Sequence, residues 1–239
     1  MRNIVILAAT TAEISRLAGS FQAEREPPCS PWSVYAARQG FTRIIFSVTG
    51  VGAANAAAAT TSMIHYYSPD LLVTTGCAGA YPGSGLAIGD LALAAKEVFA
   101  DEGVACPEGW QGLEYMRIPL LDRHGSRIFN EITLSPQAAD HAMRTAQQAS
   151  ITLHRGTFLT VSTCSGTRSR GNELSARFGG LCENMEGAAV ALVAARFGID
   201  CLEVRGISNM VEDRDLSRWD IPLAVANAQA FIGHHIRRL

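Results

Sequence analysis

Apolar, β-branched-rich runs recur along this chain at Ile4–Ala8, Ile44–Thr49, Leu71–Thr75, Leu91–Ala95, Phe158–Val161 and Cys201–Ile207. Stretches of helical character lie between and after them. Runs that stay apolar without alternating predict strands buried on both faces, and a largely parallel sheet covered by helices provides that burial. The expected fold is therefore α/β: a three-layer αβα arrangement whose central twisted sheet is mixed, mostly parallel, and flanked by helices. Asn55–Tyr67, Ala138–Ser150, Glu186–Phe197 and Ile221–Leu239 predict the clearest helices. Ser135 before Pro136 supplies an N-cap with proline at the first helical position, and Gly198 follows a helix as a C-terminal stop. In the last helix Ile221, Val225, Ala228, Ile232, His235 or Ile236, and Leu239 share one face, which predicts packing on the sheet.

At 239 residues, without a charge block or low-complexity run, the chain predicts one domain over residues 1–239. Twenty Lys+Arg against 22 Asp+Glu leave a formal net charge of -2. That balance excludes the electrostatic footprint of a nucleic-acid or anionic-membrane binder and favours a small ligand. The apolar stretch Ile4–Ala9 is too short for a signal-peptide core or a membrane span and predicts a first strand. Six cysteines (29, 77, 106, 164, 182 and 201) lack Cys-x-x-Cys spacing, so a reducing cytoplasm is expected. No His-Glu-x-x-His pattern occurs, and no metal or other cofactor is expected. His234–His235 falls in the last helical turns, where a cation complements the helix dipole.

Ligands of open α/β sheets bind beyond the carboxyl ends of the strands, which directs attention to five segments. Glu13 follows the first strand and is either a general base or an acidic complement to a helix dipole. Thr49–Asn55 carries two glycines that let a ligand approach the backbone, with Val51 between them. It departs from a dinucleotide fingerprint because Asn55 stands at the third glycine. Thr74–Ala80, with Cys77, Ala78 and Gly79, bends the chain repeatedly and offers amides to a water, anion or sugar oxygen. Glu183–Ala188 opens an otherwise apolar helix: Glu186 there is either a ligand for paired ribose hydroxyls, with Met185 against the sugar, or a helix-terminal carboxylate. Arg205–Asn209 ends the last strand. Arg205 in an apolar run requires a carboxylate or ligand, Ser208 follows, and Asn209 offers an acceptor and a double donor in one plane. The glycine-rich stretch Asp101–Arg127 has no helical period and predicts loops with short strands.

In this order, Ala9–Glu13, Thr49–Ala56, Thr75–Gly79, Asn184–Ala188 and Arg205–Asn209 resemble the purine nucleoside phosphorylase and nucleosidase family over most of the chain. The resemblance implies that Glu13 activates water with help from Arg205 and the Cys77 loop, that Glu186 binds the ribose hydroxyls, and that Asn209 contacts the purine. Trp219 stands where the family places an aromatic wall of the 5′ pocket, and Val51 with Trp219 supplies apolar surface there. Adenine-specific members carry Asp where this chain has Asn209. An amide instead accepts from a protonated N7 and donates to a 6-oxo group, which describes hypoxanthine or guanine. Phosphorylases of the family carry Arg where Thr74 stands here, so hydrolysis is expected. Cys77–Gly83 and Ser208–Asp215 look most like the futalosine hydrolase branch, with methylthioadenosine or inosine nucleosidases as the near alternative and a non-catalytic nucleoside sensor as the distant one. Futalosine carries a carboxylate on its 5′ arm, for which Arg168, Arg170, Arg214 and Arg218 are the candidates. No Phe or Tyr occupies the family's purine-stacking place around Thr163–Gly166. The resemblance also implies a homo-oligomer, at least a dimer, with Asp101–Arg127 as its expected contact.

Overall fold

The computed structural model describes residues 2–27, 31–123 and 125–239. Cys29 lies outside the described residues. Eight strands form the body of the central sheet: β1 (Arg2–Ala8), β2 (Ser33–Gln39), β3 (Thr42–Val48), β4 (Leu71–Ala80), β5 (Leu91–Phe99), β6 (Leu153–Thr160), β7 (Gly180–Asn184) and β8 (Asp200–Met210). Strands β1, β3, β4 and β8 run parallel to their neighbours in the order β3-β1-β4-β8. Strand β2 and the short edge strands Glu24–Arg25 and Glu131–Thr133 pair antiparallel, so the sheet is mixed as expected.

Alternation along β1 shows how these runs bury both faces. Ile4, Ile6 and Ala8 join one apolar cluster with Ile14, Leu17, Ala142, Phe231 and Ile232. Val5 and Leu7 join the opposite cluster with Ala56, Met63 and Ala188–Ala191. Each fully buried aliphatic side chain of this size contributes about 1.5–3 kcal/mol. Helices α1 (Ser15–Ser20), α3 (Pro136–Gln148) and α6 (Ile221–Ile236) cover the first face. Helices α2 (Ala53–Tyr67) and α5 (Gly187–Phe197) cover the second, while α4 (Arg168–Phe178) packs at β7.

One relationship was not visible in the sequence. Strand β4 pairs with β8, β8 with β5, β5 with β6, β6 with β7, and β7 returns to β4 through Cys182↔Ala80 and Glu183↔Gly79. The carboxyl half of β4 thereby closes a ring of five strands with β8, β5, β6 and β7. That pinch gathers Gly76–Ala80, Glu183–Asn184 and Arg205–Met210 at one end of the sheet.

Several local expectations change. Ser135 caps α3 by position, but its hydroxyl donates to Asp200 Oδ1 and accepts from the Cys201 amide, tying the helix to β8. Gly198 ends α5 in the left-handed conformation (φ +71°), as expected. The expected face of α6 is buried at Val225, Ala228, Ile232, His235 and Ile236, but its two ends, Ile221 and Leu239, are exposed, and Ala224, Gln229 and Phe231 widen the buried face. His235 is not a terminal cation. It is buried against Thr145 and Phe231, and burial pushes its imidazole down to about 4. Asp101–Arg127 forms two hairpins, Gly103–Cys106 with Gly109–Gly112 and Leu121–Arg123 with Ser126–Ile128, separated by one helical turn. Among the described residues no helix is long and apolar enough to cross a membrane.

Candidate active site

A cavity of about 200 Å³ opens at the pinched end of the ring. Its walls include Glu13, Val51, Cys77, Ala78, Gly79, Met185, Glu186, Arg205, Ser208, Asn209 and Trp219, so the expected catalytic and substrate-binding residues meet there, whereas Asn55, Thr74, Arg168, Arg170 and Arg218 do not line it. Ala9, Thr10, Val161, Cys164, Ser165, Glu183, Asn184 and Arg214 complete it.

Glu13 sits on a single 3-10 turn, Thr11–Glu13, before α1. Its Oε2 accepts from the Thr10 amide at 2.9 Å and the Thr10 hydroxyl at 3.0 Å, and its Oε1 accepts from the Cys77 amide at 3.0 Å. The carboxylate is thus fixed across two strand ends. Residue 77 contributes its backbone; burial, followed by the nearby Glu13 charge, pushes the Cys77 thiol up to about 11, so it stays protonated. Gly76 makes this approach possible: a Cβ there would fall on Glu13 Oε1 and lie 2.8 Å from Arg205 Nη1.

Glu186 precedes α5, yet it does not cap the helix. Asn184 does so, its Oδ1 accepting from the amides of Glu186 at 2.9 Å and Gly187 at 2.7 Å. Glu186 is left to accept from the Gly52 amide at 3.0 Å through Oε1 and to pair with Arg205 Nη1 at 3.4 Å through Oε2. Gly52 holds φ +94°, a conformation that favours glycine, and Asn55 Nδ2 braces the same turn by donating to Val51 O at 2.8 Å. Asn55 is therefore a turn brace, which explains why the third glycine of a dinucleotide loop is absent.

Arg205 is 1% exposed and spends its guanidinium on protein acceptors: Glu203 at 2.8 Å, Glu186 and Asn184 at 3.4 Å, and the Cys77 carbonyl at 3.4 Å. Burial alone would lower its pKa, but Glu203, Glu186 and Glu13 together raise it above the ordinary value. Behind it, Glu97 and Glu203 are both fully buried. Burial, and for Glu97 also the neighbouring Glu203 charge, raises both carboxyls. Thr160 and Asn184 donate to Glu97, linking this pair to the cap of α5.

At the other end Ser208 donates to Asn209 Oδ1 at 2.8 Å and reaches Ala78 O at 3.2 Å, which holds the amide in place. Arg214 stacks over Trp219 at 4.8 Å. Arg168 and Arg218 pair with Glu212, and Arg170 with Asp101 and Glu173, whereas none of the ion pairs among the described residues involves Arg214. Thr74 is buried in β4 and does not line the cavity. In place of a stacking aromatic, Cys164 and Met185 offer polarizable sulfur surface, their sulfurs 3.4 Å apart. Among the described residues no group of three His, Cys, Asp or Glu is arranged to hold a metal ion.

Sequence reasoning missed Glu183, Thr10 and Gly52 as site residues. Glu183 lay within the segment singled out and is marked only by being a second acidic residue beside a buried helix start.

The described geometry has counterparts. A futalosine hydrolase of Thermus thermophilus is 31% identical over 83% of this chain and 81% of its own length. A futalosine hydrolase of Acidothermus cellulolyticus is 33% identical over 92% of this chain and 85% of its own. The structure of a futalosine hydrolase mutant of Helicobacter pylori superposes over the whole of both chains with a TM-score of 0.86 at 25% identity. The family model described as Phosphorylase superfamily matches residues 3–237, and the chain belongs to that superfamily.

Proposed function

We propose that this protein is a nucleosidase that hydrolyses the N-glycosidic bond of futalosine, releasing hypoxanthine and dehypoxanthinyl futalosine. The observation that carries the reading is the placement of Asn209 at one end of a cavity whose other residues, Glu13, Glu186 and Arg205, suit ribose and water. Similarity to futalosine hydrolases at 31% and 33% identity supports the same substrate.

Cleavage builds positive charge on the ribose and negative charge on the departing base. Glu13, held by three hydrogen bonds, takes the proton of the attacking water, a role that contributes ~10²–10⁴-fold. Glu186 receives the ribose hydroxyls, and its anion, together with Glu13, favours the cationic sugar. Arg205 pairs with Glu186 and lends its positive charge to the neighbourhood of Glu13. The Asn209 carbonyl accepts from N7–H and its amide donates to O6; Asn209 cannot deliver the N7 proton, which comes from solvent or another group. Thr74 leaves no cation for phosphate, which favours water as nucleophile. Arg214, stacked on Trp219, is the arginine placed for the carboxylate of the 5′ arm. We further propose action in the cytoplasm, in menaquinone biosynthesis, as a homo-oligomer whose contact uses the exposed Tyr115, Met116 and Ile118.

Incubation of purified protein with futalosine, inosine and methylthioadenosine, with and without phosphate, tests this. Phosphate-independent release of hypoxanthine from futalosine is expected. Comparable adenine release from methylthioadenosine would refute the role of Asn209. A non-catalytic sensor would show no turnover for Glu13→Ala to abolish; the expectation is lost turnover with retained binding.

A further inference from the structure

Glu183 is a buried carboxylate on the cavity wall that the mechanism above does not use. It stands on β7 opposite Gly79, and Asn209 on β8 flanks the same glycine from the other side. A Cβ at Gly79 would lie 3.1 Å from Asn209 Nδ2 and 3.6 Å from Glu183 Cγ. The two polar side chains therefore border the same end of the cavity.

Every protein contact of the Glu183 carboxylate is with a donor. Oε1 accepts from the Ser165 amide at 2.8 Å, and Oε2 accepts from the Ser165 hydroxyl at 2.6 Å and the Tyr81 hydroxyl at 2.9 Å. Tyr81 stays a donor, because burial and then the Glu183 charge push its phenol well above the ordinary range. An ionised carboxylate has about four acceptor positions, and three are filled. The unfilled one belongs to Oε1. None of the ion pairs among the described residues involves Glu183, so these three donors are what compensate its burial, and a further donor at the open position would add to them.

We infer that Glu183 selects the base by accepting the N1–H of a 6-oxopurine. The inference rests on the 6-oxopurine reading above and deepens it. Hypoxanthine presents a donor at N1, next to the O6 and N7 edge that Asn209 serves. Adenine presents a lone pair at N1, which a fixed carboxylate repels. Two side chains then read three consecutive positions of the base, and both oppose a 6-aminopurine. A site built to pair with a substrate donor typically rejects the analogue lacking it by ~10⁴–10⁵-fold.

The test compares kcat/KM for futalosine with that for its 6-amino counterpart, which shares the 5′ arm and differs only at the base edge. Glu183→Gln keeps the shape but lets an amide N–H face N1. The expected result is a fall in the 6-oxo/6-amino ratio of at least ~10²-fold. A side chain that only anchors the Ser165 turn would slow both substrates alike, and an unchanged ratio would overturn the inference. Ser165→Ala, which loosens the carboxylate without replacing it, is the second variant; a several-fold fall in the ratio is expected, and no change counts against the inference. If the wild-type protein releases no hypoxanthine, the functional reading fails and the inference with it. If it does and neither variant moves the ratio, the inference alone fails.

Discussion

Arg205 Nε donates to Glu203 Oε1 at 2.8 Å from two residues further along the same strand, so the buried cation and its main counter-ion share one face of β8. The second oxygen of Glu203 has no hydrogen-bond donor apart from the proton that the pair with Glu97 holds. The two carboxyls are therefore not equivalent: Glu203 serves as the anion and Glu97 as the protonated member. Glu203→Gln should cost about 3–5 kcal/mol, because it removes the main counter-ion of the buried Arg205 and leaves only the longer pair with Glu186. Glu97→Gln replaces one neutral group by another and should cost about 1 kcal/mol. Chemical denaturation of the two variants checks the asymmetry, and equal losses would contradict it.

Gly76 tests whether the placement of Glu13 matters for chemistry more than for folding. An added methyl would collide with Glu13 Oε1 and crowd Arg205 Nη1. Displacement of a catalytic group by about 1 Å can cost 10²-fold. Gly76→Ala is expected to lower kcat by about that factor while the purified protein keeps its cooperative unfolding. Steady-state kinetics beside a thermal melt provides the comparison, and an unchanged kcat would remove Glu13 from the reaction.

Cys77 is next to the proposed base but is expected to be chemically quiet. Its thiol is pushed up to about 11, first by burial and then by the Glu13 charge, so almost no thiolate exists at neutral pH. Iodoacetamide at pH 7.5, a working value about neutrality, should leave it unmodified by mass spectrometry. Cys77→Ser should retain activity, since the residue 77 amide that holds Glu13 is kept and a hydroxyl can replace the thiol beside it. Rapid alkylation with loss of activity would reverse that assignment.

How much of this was legible beforehand depended on local patterning. The buried strands showed themselves because they are apolar on both faces, as Ile4–Ala8 is. Strand β2 did not: Ser33–Gln39 is half-buried and mixed in polarity, and it becomes a strand through antiparallel pairing with β3. Helix α4, Arg-Ser-Arg-Gly-Asn-Glu-Leu at its start, buries only Gly171 and Leu174 and carries little apolar period. Glu13, Glu186, Arg205 and Asn209 were legible as unusual groups at strand ends. Glu183 was not, because its meaning depends on the return of β7 to β4 at Gly79, a long-range closure that no local pattern encodes.

His235 gives the protein an acid-sensitive element outside the site. It is buried in α6 beside Thr145 and His141 of α3, and burial, followed by the His141 charge and that of Arg2, lowers its pKa from 6.5 to about 4. A histidine lowered in the folded state binds its proton more readily once unfolded. Its contribution is therefore fully present above pH 6.5 and is lost as pH falls toward 4. The difference in pKa corresponds to at most about 3 kcal/mol. His235→Leu removes the titration while keeping an apolar side chain between α3 and α6. Urea unfolding across this pH window should show a shallower loss of stability in the variant than in the wild type, although carboxylate protonation affects both. Parallel curves would mean that His235 does not titrate between the two helices.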